Sequence, residues 1–171
     1  MKQLDSILIA VMLVACGQVT ACEKNSVALR YLSAIEAMNW AAMRTYLAED
    51  AIYTDPTMAH YDREPIALAG ADSIVAFWSS SSTDSGTGQI NYSITSCMET
   101  AGFHVVNLDI DIKVSGKFWN VAKDVINIPG RVVSVIRVDD GRVTEHHDYV
   151  EYAAADHVVA ELREQHGAYA E

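Results

Sequence analysis

The chain has 171 residues, half of them apolar, which suits one compact domain and leaves little room for a second. Its formal charge of −11, with only 12 scattered Lys and Arg, excludes a nucleic-acid-binding face and a basic patch held on anionic lipid. No Cys/His spacing of the metal-binding kind occurs, and neither metal nor cofactor is expected.

Residues 1–15 read as a signal peptide. Lys2 precedes the apolar run Ile7-Leu8-Ile9-Ala10-Val11-Met12-Leu13-Val14-Ala15, too short to span a bilayer but the length of a signal-peptide core. Leu13-Val14-Ala15-Cys16 resembles a bacterial lipobox, which implies that Cys16 carries lipid and becomes the mature N-terminus. Cleavage near Ala21, releasing a soluble secreted protein, is the alternative. Export to the periplasm or cell envelope is expected either way, with membrane contact only through the N-terminal lipid anchor. Residues 16–24 read as a polar tether, and one domain fills 25–171. Cys22 in the tether and Cys97 in a strand are expected to remain free thiols.

A helix is predicted from Ser26, its N-cap, with Val27, Ala28, Tyr31, Leu32, Ile35 and Met38 on one buried face. Asn39 caps a second helix running to Leu47. Residues 51–54 form a short extended segment ended by Asp55-Pro56, and residues 57–69 form a loop. A third helix spans 71–78, followed by a flexible connection rich in Ser, Thr and Gly to Gly88.

From 89 to 152 the pattern alternates with period two. Ile90, Tyr92 and Ile94 share one face, and His104, Val106, Leu108, Ile110, Ile112 and Val114 share another. Asn107, Asp109 and Asp111 fall on the opposite, wet side. Extended chain resumes over 118–128, and residues 131–138 and 142–152 form a hairpin around Asp140-Gly141. A last helix covers 156–166. Helices followed by an antiparallel run give an α+β fold: a curved antiparallel sheet with helices packed on its concave face.

Three stretches carry a family likeness: Tyr46-Leu47-Ala48-Glu49-Asp50-Ala51-Ile52-Tyr53-Thr54-Asp55-Pro56, Gly70-Ala71-Asp72-Ser73-Ile74-Val75-Ala76-Phe77, and Asp140-Gly141-Arg142-Val143-Thr144-Glu145-His146-His147-Asp148-Tyr149. With the order of elements, over about residues 25–155, they resemble the nuclear transport factor 2-like superfamily and its SnoaL-like domains. The resemblance implies a cone-shaped α+β barrel. It does not imply one activity, because the scaffold hosts isomerases, hydrolases, cyclases and binders.

Likeness to the ketosteroid isomerase branch implies Tyr31 as an oxyanion donor and Asp55 as a base, with Ser134 in place of that branch's protonated aspartic acid. Likeness to the limonene epoxide hydrolase branch covers Tyr53 and Asp148, but its arginine-x-aspartate strand motif has no clean counterpart; Asn107-Leu108-Asp109 is nearest. Likeness to SnoaL-like cyclases implies Asp148 as base. Strand parity places Thr144, His146, Asp148 and Val150 on one face, so His146 joins Asp148 as a candidate acid or base. Adjacent His146 and His147 point to opposite faces and do not chelate one ion.

Tyr53, Trp40, Phe77, Trp78 and Ser134 are expected to line a pocket for a small apolar molecule. The leading expectation is cofactor-free acid–base chemistry by an isomerase or lyase. The alternatives are a non-catalytic ligand-binding or dimerisation module of the cell envelope, and an epoxide hydrolase-like enzyme. A homodimer paired through the sheet is expected.

Overall fold

The computed structural model describes residues 20–61 and 64–169; the predicted leader and Cys16 lie outside them. Helices α1 (Val27–Glu36) and α2 (Trp40–Tyr46) begin at the predicted caps. Ser26 Oγ accepts the Leu29 N–H at 3.4 Å, and Asn39 Oδ1 accepts that of Ala42 at 3.0 Å. Tyr31, Leu32 and Ile35 are buried on α1 as the spacing requires.

Helix α3 (Ala71–Asp84) runs through the serine-rich segment read as a flexible connection. Its hydroxyls explain the difference. Ser82 bonds the Trp78 carbonyl at 3.0 Å, Thr83 that of Ser79 at 2.9 Å and Ser85 that of Ser81 at 2.7 Å. The side chains that usually compete with a helix are turned back onto its own carbonyls. Helix α4 (Tyr152–His166) starts four residues earlier than predicted, at Tyr152.

The strands are β1 (Thr20–Ala21), β2 (Leu47–Asp55), β3 (Ile66–Ala69), β4 (Gln89–Thr100), β5 (Phe103–Ser115), β6 (Val125–Asp139) and β7 (Arg142–Val150). They form one curved, unclosed sheet in the order β1-β4-β5-β6-β7-β2-β3. Strands β4 to β7 are an antiparallel meander, while β2 joins β7 in parallel, Tyr53 opposite His146. That one parallel pair departs from the all-antiparallel expectation. It sets the two conspicuous sequence segments side by side. Strand β3, hidden in the predicted loop, is a short edge strand directly after Pro65. Residues 118–124, the first part of the extended run predicted over 118–128, instead form turns and bends, and the strand resumes at Val125.

Among the described residues, the larger of two apolar clusters fills the concave side, and a smaller one joins Val114, Ile126 and Ile128 of the sheet to Ala155 and Val159 of α4. Tyr31, Leu32 and Ile35 of α1 and Ile74 of α3 cluster with Val106, Leu108, Val132 and Ile136 of the sheet. Parity on β7 is broken once: Arg137 pairs with Glu145 but Val138 with Val143, so Thr144 is a bulge. The bulge turns Val143 inward together with His146 and Asp148, where period two alone places it outside. Val143 is fully buried, a gain of about 1.5–3 kcal/mol over an exposed valine.

Strand β1 corrects the expectation that Cys22 and Cys97 remain free thiols. Pairing Thr20 with Glu99 and Ala21 with Met98 sets Cys22 against Cys97, and the two form a disulfide with Cα atoms 5.4 Å apart. The segment read as free tether is therefore fastened to the sheet edge from Thr20 onward. Among the described residues no helix is long and apolar enough to cross a membrane.

Candidate active site

Between the concave face and helices α3 and α4 lies a cavity of ≈ 490 Å³. Its wall is mostly apolar: Leu32, Phe77 and Trp78 from the helices, and Leu108, Ile110 and Val132 from the sheet. Into this wall project Asp148, Ser134, Tyr53, Asp55, Tyr92 and Tyr152.

Asp148 is held by three donors. Its Oδ1 accepts Ser134 Oγ–H at 2.5 Å and His146 Nε2–H at 2.8 Å, while among the described residues Oδ2 accepts only Tyr53 O–H, at 3.2 Å. Register makes this possible: Ser134 pairs directly with Asp148 across β6–β7, and His146 precedes it by two on the same face. Burial alone pushes the Asp148 carboxyl up. The facing His146 charge and the bonds from His146, Ser134 and Tyr53 outweigh burial and hold it below the ordinary aspartate value. Asp148 is therefore a carboxylate at neutral pH, with Oδ2 its less engaged atom.

Behind Asp148 the chain of contacts continues inward. Tyr31 O–H lies 3.1 Å from His146 Nδ1. A carboxylate only accepts, so Nε2 carries a hydrogen, and neutral His146 accepts from Tyr31 at Nδ1. If His146 gains a proton the bond reverses, with the tyrosine oxygen accepting, so imidazole and imidazolium both keep two partners. Burial, then the Asp148 charge, raises the Tyr31 and Tyr53 phenols well above their usual range. Both remain protonated donors.

Asp55 has a different setting. Oδ1 accepts the Thr57 N–H at 2.9 Å and the Thr57 hydroxyl at 2.5 Å, and Oδ2 accepts Tyr152 O–H at 2.5 Å. Thr57 Oγ1 in turn takes the Val150 N–H at 2.9 Å. Both Asp55 oxygens are thus engaged in closing the 3₁₀ turn Pro56–Tyr61 and fastening it to β7 and α4.

The structure brings Asp148, His146, Tyr53 and Ser134 together, with Phe77 and Trp78 on the same cavity. It sets Tyr31 behind His146, off the cavity wall. Trp40, at the start of α2, packs on the core and does not line the cavity. Asn107 and Asp109 lie on the outer face of β5, away from the cavity. Tyr92 and Tyr152 were not singled out from sequence; Tyr92 was visible only as part of the Ile90-Tyr92-Ile94 face.

With this geometry in hand, the family is decided by a match of residues 28–146 to the family model described as SnoaL-like domain. The chain belongs to the SnoaL-like family. A search of curated proteins finds no match to its sequence. Solved structures share the fold. A candidate SnoaL-like polyketide cyclase from Shewanella denitrificans OS-217 is 20% identical, with TM-score 0.69 over 79% of this chain and 95% of that one. A protein of ketosteroid isomerase-like fold from Catenulispora acidiphila, complexed with trimethylamine, is 14% identical, with TM-score 0.61 over 77% and 89%. An LEH-like epoxide hydrolase from M. tuberculosis is 13% identical, with TM-score 0.61 over 80% and 88%. At these identities they fix the fold of this SnoaL-like domain and leave its chemistry to its own residues.

Proposed function

We propose that this SnoaL-like protein binds a small, apolar, ring-bearing carbonyl compound and catalyses cofactor-free proton transfer on it, with Asp148 as the base. The observation that carries this is Oδ2 of Asp148, held by one long hydrogen bond of 3.2 Å, set in an apolar wall and backed by the buried His146–Tyr31 pair. Asp55 is not favoured, because its Oδ2 is held tightly by Tyr152 O–H at 2.5 Å, whereas the one bond to Asp148 Oδ2 is long, at 3.2 Å.

In the proposed step a substrate C–H bond breaks and its proton goes to Oδ2. The electron pair passes into an enolate. The enolate is then reprotonated at another carbon, an isomerisation, or adds to a second carbonyl of the same molecule, a cyclisation. A carboxylate held below its ordinary pKa is a weak base, so the C–H must be doubly activated, by a second carbonyl or by an aryl ring. His146 and Tyr31 act through Asp148 as positioning residues. Epoxide hydrolysis is disfavoured: no arginine lines the cavity among the described residues, and Asn107 and Asp109 face outward.

The Cys22–Cys97 disulfide supports export, because such bonds persist in oxidising compartments. Exposed Met98 and Tyr149 support pairing with a second copy through the outer face of the sheet. Native mass spectrometry of the protein purified from its own host tests the ligand class. Co-purification of an apolar carbonyl compound is expected. A reproducibly empty cavity, or generic lipid alone, would favour a binding or pairing module instead.

A further inference from the structure

Tyrosines crowd this cavity, and all but one of those near it are already committed. Tyr53 donates to Asp148, Tyr31 meets His146, Tyr152 donates to Asp55 and Tyr61 to Asp156. Tyr92 stands apart. It lies on the inward face of β4 opposite Ile110, and its ring lines the cavity with Asp148 and Ser134. Its hydroxyl makes no hydrogen bond to the described protein, and it is not among the polar atoms sealed from solvent.

The residue is nevertheless firmly placed. Its backbone N–H donates to Glu36 Oε1 at 2.9 Å, which fastens β4 to the end of α1. Only the phenolic end is left open, toward the cavity. Burial raises this phenol first, and the Asp148 and Glu36 charges raise it further, so it stays protonated and can only serve an anion as a donor.

From this geometry we infer that Tyr92 is a further catalytic residue, the hydrogen-bond donor to the substrate oxygen on which charge develops as Asp148 takes the proton. The assignment rests on the proton-transfer reading above. It fills the role that likeness to isomerases assigned to Tyr31, which the structure holds behind His146. The order of events explains the need for it. A weak carboxylate base removes a carbon-bound proton only if the enolate oxygen is stabilised as it forms, and a donor fixed in a low-dielectric wall does this without reorganising. The substrate carbonyl is accordingly predicted to point across the cavity from β7 toward β4.

Two probes of similar shape test the assignment: 2-acetylnaphthalene, which has a carbonyl, and 2-ethylnaphthalene, which does not. Binding of each is measured to the protein and to its Tyr92→Phe and Tyr53→Phe variants, together with the infrared carbonyl stretch of the bound ketone. Tyr92→Phe is expected to weaken ketone binding about tenfold, leave the hydrocarbon unchanged and raise the carbonyl frequency. Tyr53→Phe is expected to leave that frequency in place. A ketone indifferent to Tyr92→Phe, or one whose stretch moves only with Tyr53→Phe, overturns the Tyr92 assignment while the apolar cavity stands. Failure of both probes to bind overturns the cavity reading and the assignment with it.

Discussion

Asp148→Ala is expected to destabilise the protein by about 3–5 kcal/mol, because it strands three buried donors at about 1–3 kcal/mol each. The cost comes from what is left behind. His146 Nε2, Ser134 Oγ and Tyr53 O–H all aim at the lost carboxylate, and each is shut away from water. Asp148→Asn keeps the shape but turns an amide N–H₂ toward donors, at a smaller cost of about 1–3 kcal/mol.

The same residue sets an acid limb. Its folded-state pKa lies below the ordinary value, so its stabilising contribution is full above the unfolded pKa of about 4. That contribution is lost as pH falls through the lower, folded value. Urea unfolding at pH 7 and pH 3 checks both points: the wild type should lose more stability between them than Asp148→Asn does. Equal losses would mean that Asp148 is not the group responsible.

The second large effect concerns the disulfide. Cys22 and Cys97 are 75 residues apart, and closing a loop of that length restricts the unfolded chain by about 4 kcal/mol in the entropic account. Cys97→Ser should therefore lower the melting temperature by roughly 10 °C for a chain of this size. Cys22→Ser should do the same, and the double variant should fall no further. A reducing agent should reproduce the shift in the wild type and have no effect on the variants. A wild-type melting curve unmoved by reductant would mean that the bond does not form.

Much of the fold was legible because it rests on local rules. Ser26 and Asn39 announced their helices, and the alternation from His104 to Val114 announced a strand with one wet face. What failed to show was long-range or compensated. Thr20-Ala21 is a strand only because β4 offers an edge, so the Cys22–Cys97 pairing carries no local signature. The serines after Trp78 look like a linker until their hydroxyls are seen bonding back along α3. The bulge at Thr144 leaves no mark in a period-two pattern.

At the site, Asp148 and His146 share a face by simple parity. The ranking of Asp148 over Asp55 did not follow from sequence, since it depends on how tightly each Oδ2 is held, at 3.2 Å by Tyr53 and at 2.5 Å by Tyr152. Tyr92 was hidden for a related reason. A tyrosine in an alternating strand reads as core, and only the commitments of its neighbours make its free hydroxyl informative.

The central claim is that Asp148 removes a carbon-bound proton from an apolar carbonyl compound. Deuterium incorporation at C1 of 2-tetralone in D₂O, followed by proton NMR with and without enzyme, tests it most directly. The wild type should accelerate exchange, and Asp148→Asn, still folded by circular dichroism, should lose that acceleration by about 10²–10⁴-fold, the usual contribution of a general base. Equal exchange with the wild type and the Asn variant would contradict the account.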